Sequence, residues 1–175
     1  ARESAIKIER VQGGKDKLSE HIAALNNRLG KPYMPVIVAD WAGAIKSLRT
    51  VASLQNAIDT LLAEKKIEAN AIADRIQVNL NSLRELAKDH TFLFADTQTI
   101  VMKQNDDLIA LIKSRIADHA AAEAKKGEAM RAKIAEEERV KAEAKAMAEQ
   151  EARAAEDRAI VKQQEAVLNA AHVQI

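Results

Sequence analysis

Residues 50–88 read TVASLQNAIDTLLAEKKIEANAIADRIQVNLNSLRELAK, without a glycine or a proline. The hydroxyl of Thr50 can accept from the orphan backbone amides of a following helical turn, which makes it an N-cap. Val51, Leu54, Ile58 and Leu61 then recur at helical spacing, and Ile72, Ile76, Leu80 and Leu83 continue the stripe. The stretch therefore predicts one helix of about 58 Å at ~1.5 Å per residue.

Upstream, Leu18, Ile22, Leu25 and Leu29 fall on one helical face, and Gly30 and Pro32 stop the helix. Gly13-Gly14 interrupts the segment before it, where Ile6 and Ile8 alternate too briefly to decide between helix and strand; a frayed helix is expected there. GKPYMPVIVA, residues 30–39, holds both prolines and the sole tyrosine and is expected to be a loop or short extended crossover. Asp40 then caps a short helix, WAGAIKSL.

Downstream, the long helix ends near Asp89-His90, and TFLFADTQTIVMKQ turns the chain. Asn105 or Asp106 offers the next N-cap, with Asp107 favourably placed near the helix dipole. Leu108, Leu111, Ile112 and Ile116 begin a stripe that can pair with the helix from Thr50. A short connection between two long amphipathic helices favours an antiparallel hairpin.

The stretch from Ala135 to Val167, AEEERVKAEAKAMAEQEARAAEDRAIVKQQEAV, is rich in alanine and charge. Counting sevens gives Val140, Met147, Ala154, Val161, Leu168 and Ile175 at one heptad position. The position four residues later holds Ala144, Glu151, Arg158 and Glu165, so the seam is half matched. Glu137 to Lys141 and Glu149 to Arg153 are correctly oriented i,i+4 pairs on a high-alanine background. A weakly associating helical rod is the leading reading, with a true coiled coil and a frayed tail as the others. From Asp106 such a rod would run about 105 Å. Gly127 is the expected soft point.

Composition agrees. One Trp, one Tyr and two Phe leave alanine and short aliphatics to supply the apolar content, and glycine and proline are scarce. The expected fold is all-α: an elongated antiparallel hairpin (50–119), a small N-terminal helical region (1–49), and a long charged C-terminal helix (120–175). Lys and Arg number 27 against 26 Asp and Glu, which gives no bulk electrostatic reason to bind DNA or an anionic membrane. No cysteine is present, removing disulfides, thiol catalysis and thiolate metal sites. Runs such as LIALI are far too short to span a bilayer. A start of Ala-Arg-Glu reads as an excised piece or processed product.

No residue pattern specifies a reaction or a cofactor. Asp118-His119 with Glu123, and Asp89-His90, lack the third ligand a metal site needs; His21 and His172 stand alone. Gly13-Gly14-Lys15 is too short to cradle phosphate. Lys125, Lys126, Arg131 and Lys133 are the candidates for nucleic-acid contact, aided by Lys7, Arg10, Lys15 and Lys17, but acidic residues interleave with them. Tyr33, Trp41, Phe92 and Phe94 are the only aromatics. They either plug the two ends of the hairpin core or dock a protein partner, since a thin helical protein has little core in which to hide four rings.

WAGAIKSLRTVASLQNAIDTLLAEKKIEANAIADRI, RELAKDHTFLFADTQTIVMKQNDDLIALIKSRIADH and EEERVKAEAK together resemble a set of small helical proteins encoded by tailed phages and prophages. The likeness runs from Asp40 to Lys145 and rests on helical spacing with the phrases FLFAD and RIADH. It implies a two-helix region running into a charged helix, in proteins whose genes often lie near phage recombination and replication functions. It brings no catalytic residue. The expected role is a non-enzymatic interaction or scaffold protein of the bacterial cytoplasm that contacts a protein partner. Direct nucleic-acid binding, and a coiled-coil spacer or weak homodimer, are the alternatives.

Overall fold

A computed structural model describes residues 2–172. The helices are α1 (Arg2–Leu29), α2 (Trp41–Ile45), α3 (Val51–Leu86), α4 (Thr97–Ile100) and α5 (Asn105–His172), with a short 3-10 turn at Thr91–Leu93. The described residues contain no strand, so the all-α expectation holds.

Local signals placed several boundaries. Thr50 caps α3 by accepting from the Ser53 backbone N–H at 3.1 Å, and Asp40 caps α2 by accepting from Gly43 N–H at 2.9 Å. Gly30 ends α1 at a φ of +88°, a conformation that costs glycine little.

Two expectations about helix boundaries are corrected. First, Gly13-Gly14 does not interrupt or fray the chain, because α1 continues through both glycines from Arg2. A Cβ added at Gly14 would lie 2.7 Å from the Trp41 ring and 2.8 Å from Ile58, whereas one at Gly13 would meet nothing within 4 Å. The missing side chain at Gly14 makes room for the Trp41 ring, and tertiary packing overrides the low helix propensity of glycine. Second, Asn105 is not an N-cap. It is the first helical residue, and its amide donates to Asn79 Oδ1 at 3.0 Å and Ser82 Oγ at 2.9 Å.

α1 and α3 run in the same direction, as cross-links in matching order show: Arg10 to Gln55, His21 to Asn70, and Arg28 to Asp74. Parallel neighbours require a connection that returns along their length, and residues 30–50 provide it. α5 begins beside Asn79 and Ser82 and runs back along α3, giving the antiparallel hairpin. The N-terminal region is thus part of the core, since α1 packs against the hairpin.

The chain divides into two compact units, the first through Asp118 and the second from His119. The first unit holds two apolar clusters. One joins Leu25 and Leu29 of α1, Ala69, Ala73 and Ile76 of α3, and Leu108 and Ile112 of α5 to Phe94, Ile100 and Val101. The other gathers Leu18, Trp41, Ile45, Leu54, Ile58 and Leu62.

In the second unit every described residue from 120 onward is exposed except the half-buried Gly127, through which the helix passes unbroken. Its ion pairs include Lys126 with Glu123, and Arg139 with both Glu136 and Glu143. The expected Glu137–Lys141 and Glu149–Arg153 pairs do not form. Exposed ion pairs of either cation gain little, while the Arg139 fork reaches two carboxylates at once.

Candidate protein-docking site

The two irregular segments that carry the aromatics meet at one end of the first unit. Gln98 Nε2 donates to the Pro32 carbonyl at 2.7 Å, and Tyr33, Met34 and Ile37 pack on the cluster that holds Phe94 and Val101. Met34 N–H donates to Asn26 Oδ1 at 2.9 Å, anchoring the start of the crossover to α1. The chain then runs to Trp41, which lies on Gly14. Asn26 and Gly14 are about 18 Å apart along α1 at ~1.5 Å per residue. The few residues from Met34 to Asp40 lie outside any helix and, at ~3.3 Å each when extended, are enough to cover that distance.

Side chains of this extended stretch alternate. Val36 is 88 % exposed and Val38 79 % exposed, while Ile37 between them packs on both clusters. The backbone N–H and C=O groups of Val36, Ile37 and Val38 make no hydrogen bond to any of the described residues.

The second segment is clamped by two polar side chains. Asn79, fully buried on α3, donates to the Val101 carbonyl at 2.7 Å and the Lys103 carbonyl at 2.8 Å. Arg115 of α5 grips Asp96 with both terminal nitrogens, at 2.6 and 2.8 Å, and donates to the Leu93 carbonyl at 3.0 Å. Its guanidinium also lies 5.4 Å from the Phe94 ring centre, close enough for a cation–π contact. The hydrogen bond from Arg115 holds the Asp96 carboxyl below its ordinary range, and the same bond raises the guanidinium.

The four aromatics accordingly separate. Trp41 and Phe94 are buried, one in each apolar cluster, and Trp41 also borders the hollow beside residues 34–37. Tyr33 is half-buried, and Phe92 is 63 % exposed with its ring tilted against His90 at 6.2 Å between centres.

Lys125, Lys126, Arg131 and Lys133 are all exposed on α5, with Lys126 bound to Glu123 at 3.0 Å. That bond lowers the Glu123 carboxyl. At ~100° per residue, Lys126 and Lys133 share a face that Lys125 and Arg131 do not. Val140, Met147, Val161 and Leu168 are exposed, and Ile175 lies outside the described residues. His21 bonds Asn70 at 2.8 Å. Among the described residues no three metal-ligating side chains converge, and no helix is long and apolar enough to cross a membrane.

Sequence reasoning missed Asn79, Arg115 and the role of Gly14. Asn79 carried a signal: it interrupts the apolar stripe between Ile76 and Leu83, where a polar side chain must find a buried partner.

Fold and site together define a helical module with one irregular, partly apolar end. No family model matches the chain, and neither the curated proteins nor the solved structures give a match.

Proposed function

We propose that this chain is a non-enzymatic protein-interaction module that holds a partner protein at the end where the two irregular segments meet. The observation that carries this is the exposure of Val36, Val38 and Phe92 on segments pinned to the helical core by Asn26, Gln98 and Arg115. Apolar side chains displayed on an ordered backbone lose little conformational entropy when a partner covers them.

The setting, an accessory role in phage DNA recombination or replication in the bacterial cytoplasm, is supported by the resemblance described above. Direct nucleic-acid binding has less support, since the basic candidates are spread around α5 among acids. Pairing of α5 with a second copy is a second reading, favoured by Val140, Met147, Val161 and Leu168, each half exposed or more.

The test is affinity capture with the tagged chain from cells carrying the source genome, washed at low and high salt, beside a gel-shift titration. A protein retained at high salt is the expected result. A nucleic-acid complex that weakens steeply as salt rises would replace this reading with direct binding.

A further inference from the structure

We infer that the groove between α1 and the extended stretch at residues 34–38 takes an extended peptide segment of a partner, with apolar side chains at alternate positions and an acidic group. The inference rests on the protein-interaction reading and names the chemistry of the partner.

The groove holds about 530 Å³, within the span usual for ligand sites of roughly 300–1,000 Å³. One wall is Lys15, Ser19 and Ile22 of α1, and the other is Met34, Val36 and Ile37. The backbone groups of Val36 to Val38 find no hydrogen-bond partner among the described residues. An apolar helix face laid over them would strand donors and acceptors away from water, which is costly. A second extended chain satisfies them by strand addition, while its alternate side chains meet the apolar lining.

Charge selects the sign of the partner. Lys15 is the single charged residue among the described residues that line the groove, and it makes no ion pair. It also borders the neighbouring hollow of about 470 Å³, where the other charges are Lys7 and Asp40. The Asp40 carboxylate is already engaged with the Gly43 N–H. A second copy pairing through this same stretch would bring only Asp40, whose carboxylate is already held by its own Gly43 N–H, because residues 34–39 read MPVIVA. The occupant is therefore an acidic, apolar strand from another protein.

The whole chain, immobilised, is challenged with a displayed library of random heptapeptides. Selected peptides are then resynthesised and titrated while the emission of Trp41, the sole tryptophan and part of the groove lining, is followed. Enrichment of peptides that combine alternating apolar residues with Asp or Glu is expected. Methylating alternate backbone nitrogens of such a peptide should weaken binding by about tenfold or more. Lys15→Glu, on an exposed helix face, should weaken it by about tenfold while the melting curve is retained.

Failure to enrich any peptide overturns the inference, as does binding indifferent to N-methylation or to Lys15→Glu. A peptide-free dimer that Val36→Glu dissociates would make a second copy the occupant and overturns it as well. A cellular partner retained equally by the wild-type and Lys15→Glu chains sinks the groove and leaves the broader reading intact. Loss of both peptide selection and any protein partner ends both.

Discussion

At the scale of single residues, adjacent glycines have opposite roles. Gly13 opens to solvent and Gly14 lies against Trp41 and Ile58. Gly13→Ala should stabilise the chain by about 0.5–1 kcal/mol through helix propensity alone. Gly14→Ala should destabilise it by about 1–3 kcal/mol, since the new methyl drives an indole ring and a branched side chain apart. Urea titrations of the two variants check the pair, and equal responses would mean that Trp41 does not rest on α1. Asn79 offers a sharper case, because its amide serves the Val101 and Lys103 carbonyls and receives Asn105. Asn79→Leu strands these groups and should cost about 2–4 kcal/mol, at ~1–3 kcal/mol for each buried polar group left unmade. Asn79→Asp should be worse at neutral pH, where a carboxylate faces two carbonyl oxygens, and should recover in part in acid, where the protonated group donates. Thermal melts at both pH values separate the variants.

At the scale of elements, what the sequence made legible was local. Thr50, Asp40 and Gly30 each act within a turn of their own position, and their side-chain chemistry identifies them wherever they stand. The course of α1 and its parallel packing on α3 were not legible, because they depend on Trp41 arriving at Gly14 from far along the chain. The hairpin of α3 and α5 was readable from periodicity, but the device that sets its register was not. Asn105 looks like a cap in sequence and acts as a register peg, since its amide finds Asn79 and Ser82 across the interface. For the candidate site, composition pointed to the two segments without sorting their rings. Which ring is core follows from long-range contacts such as Arg115 over Phe94.

The turn between α3 and α5 also yields a pH prediction. Asp96 has a lowered pKa through its bond to Arg115, so its contribution is fully present above the ordinary value of 3.8 and is lost as the pH falls through the lower folded value. Its side chain is 45 % exposed, and screening holds the gain to roughly 1 kcal/mol. Asp96→Asn should therefore melt earlier than the wild type at neutral pH, with the gap closing in acid. A gap that persists undiminished at acid pH would place the stabilisation elsewhere in the turn.

At the scale of the molecule, the two units stand on different physical footing. Among the described residues none beyond Ile112 on α5 is buried, so the described part of the second unit contributes no buried core. A helix exposed on every side keeps its shape through alanine propensity and local ion pairs, and melts gradually, because each residue adds little to the next. Removing residues 119–175 should leave the cooperative transition of the first unit in place while deleting the broad, non-cooperative part of the far-ultraviolet signal. That outcome assumes the tail has no partner. If a second copy covers Val161 and Leu168, the full chain should melt at a temperature that rises with concentration, because association stabilises by mass action. Val161→Glu with Leu168→Glu should then abolish the concentration dependence, since an unpaired buried charge on that stripe is costly. The cooperative transition should survive both substitutions, because neither residue belongs to either apolar cluster. Sedimentation at two concentrations, run before and after the double substitution, decides between these cases. A dimer that persists through it would place the seam away from the Val161 and Leu168 stripe.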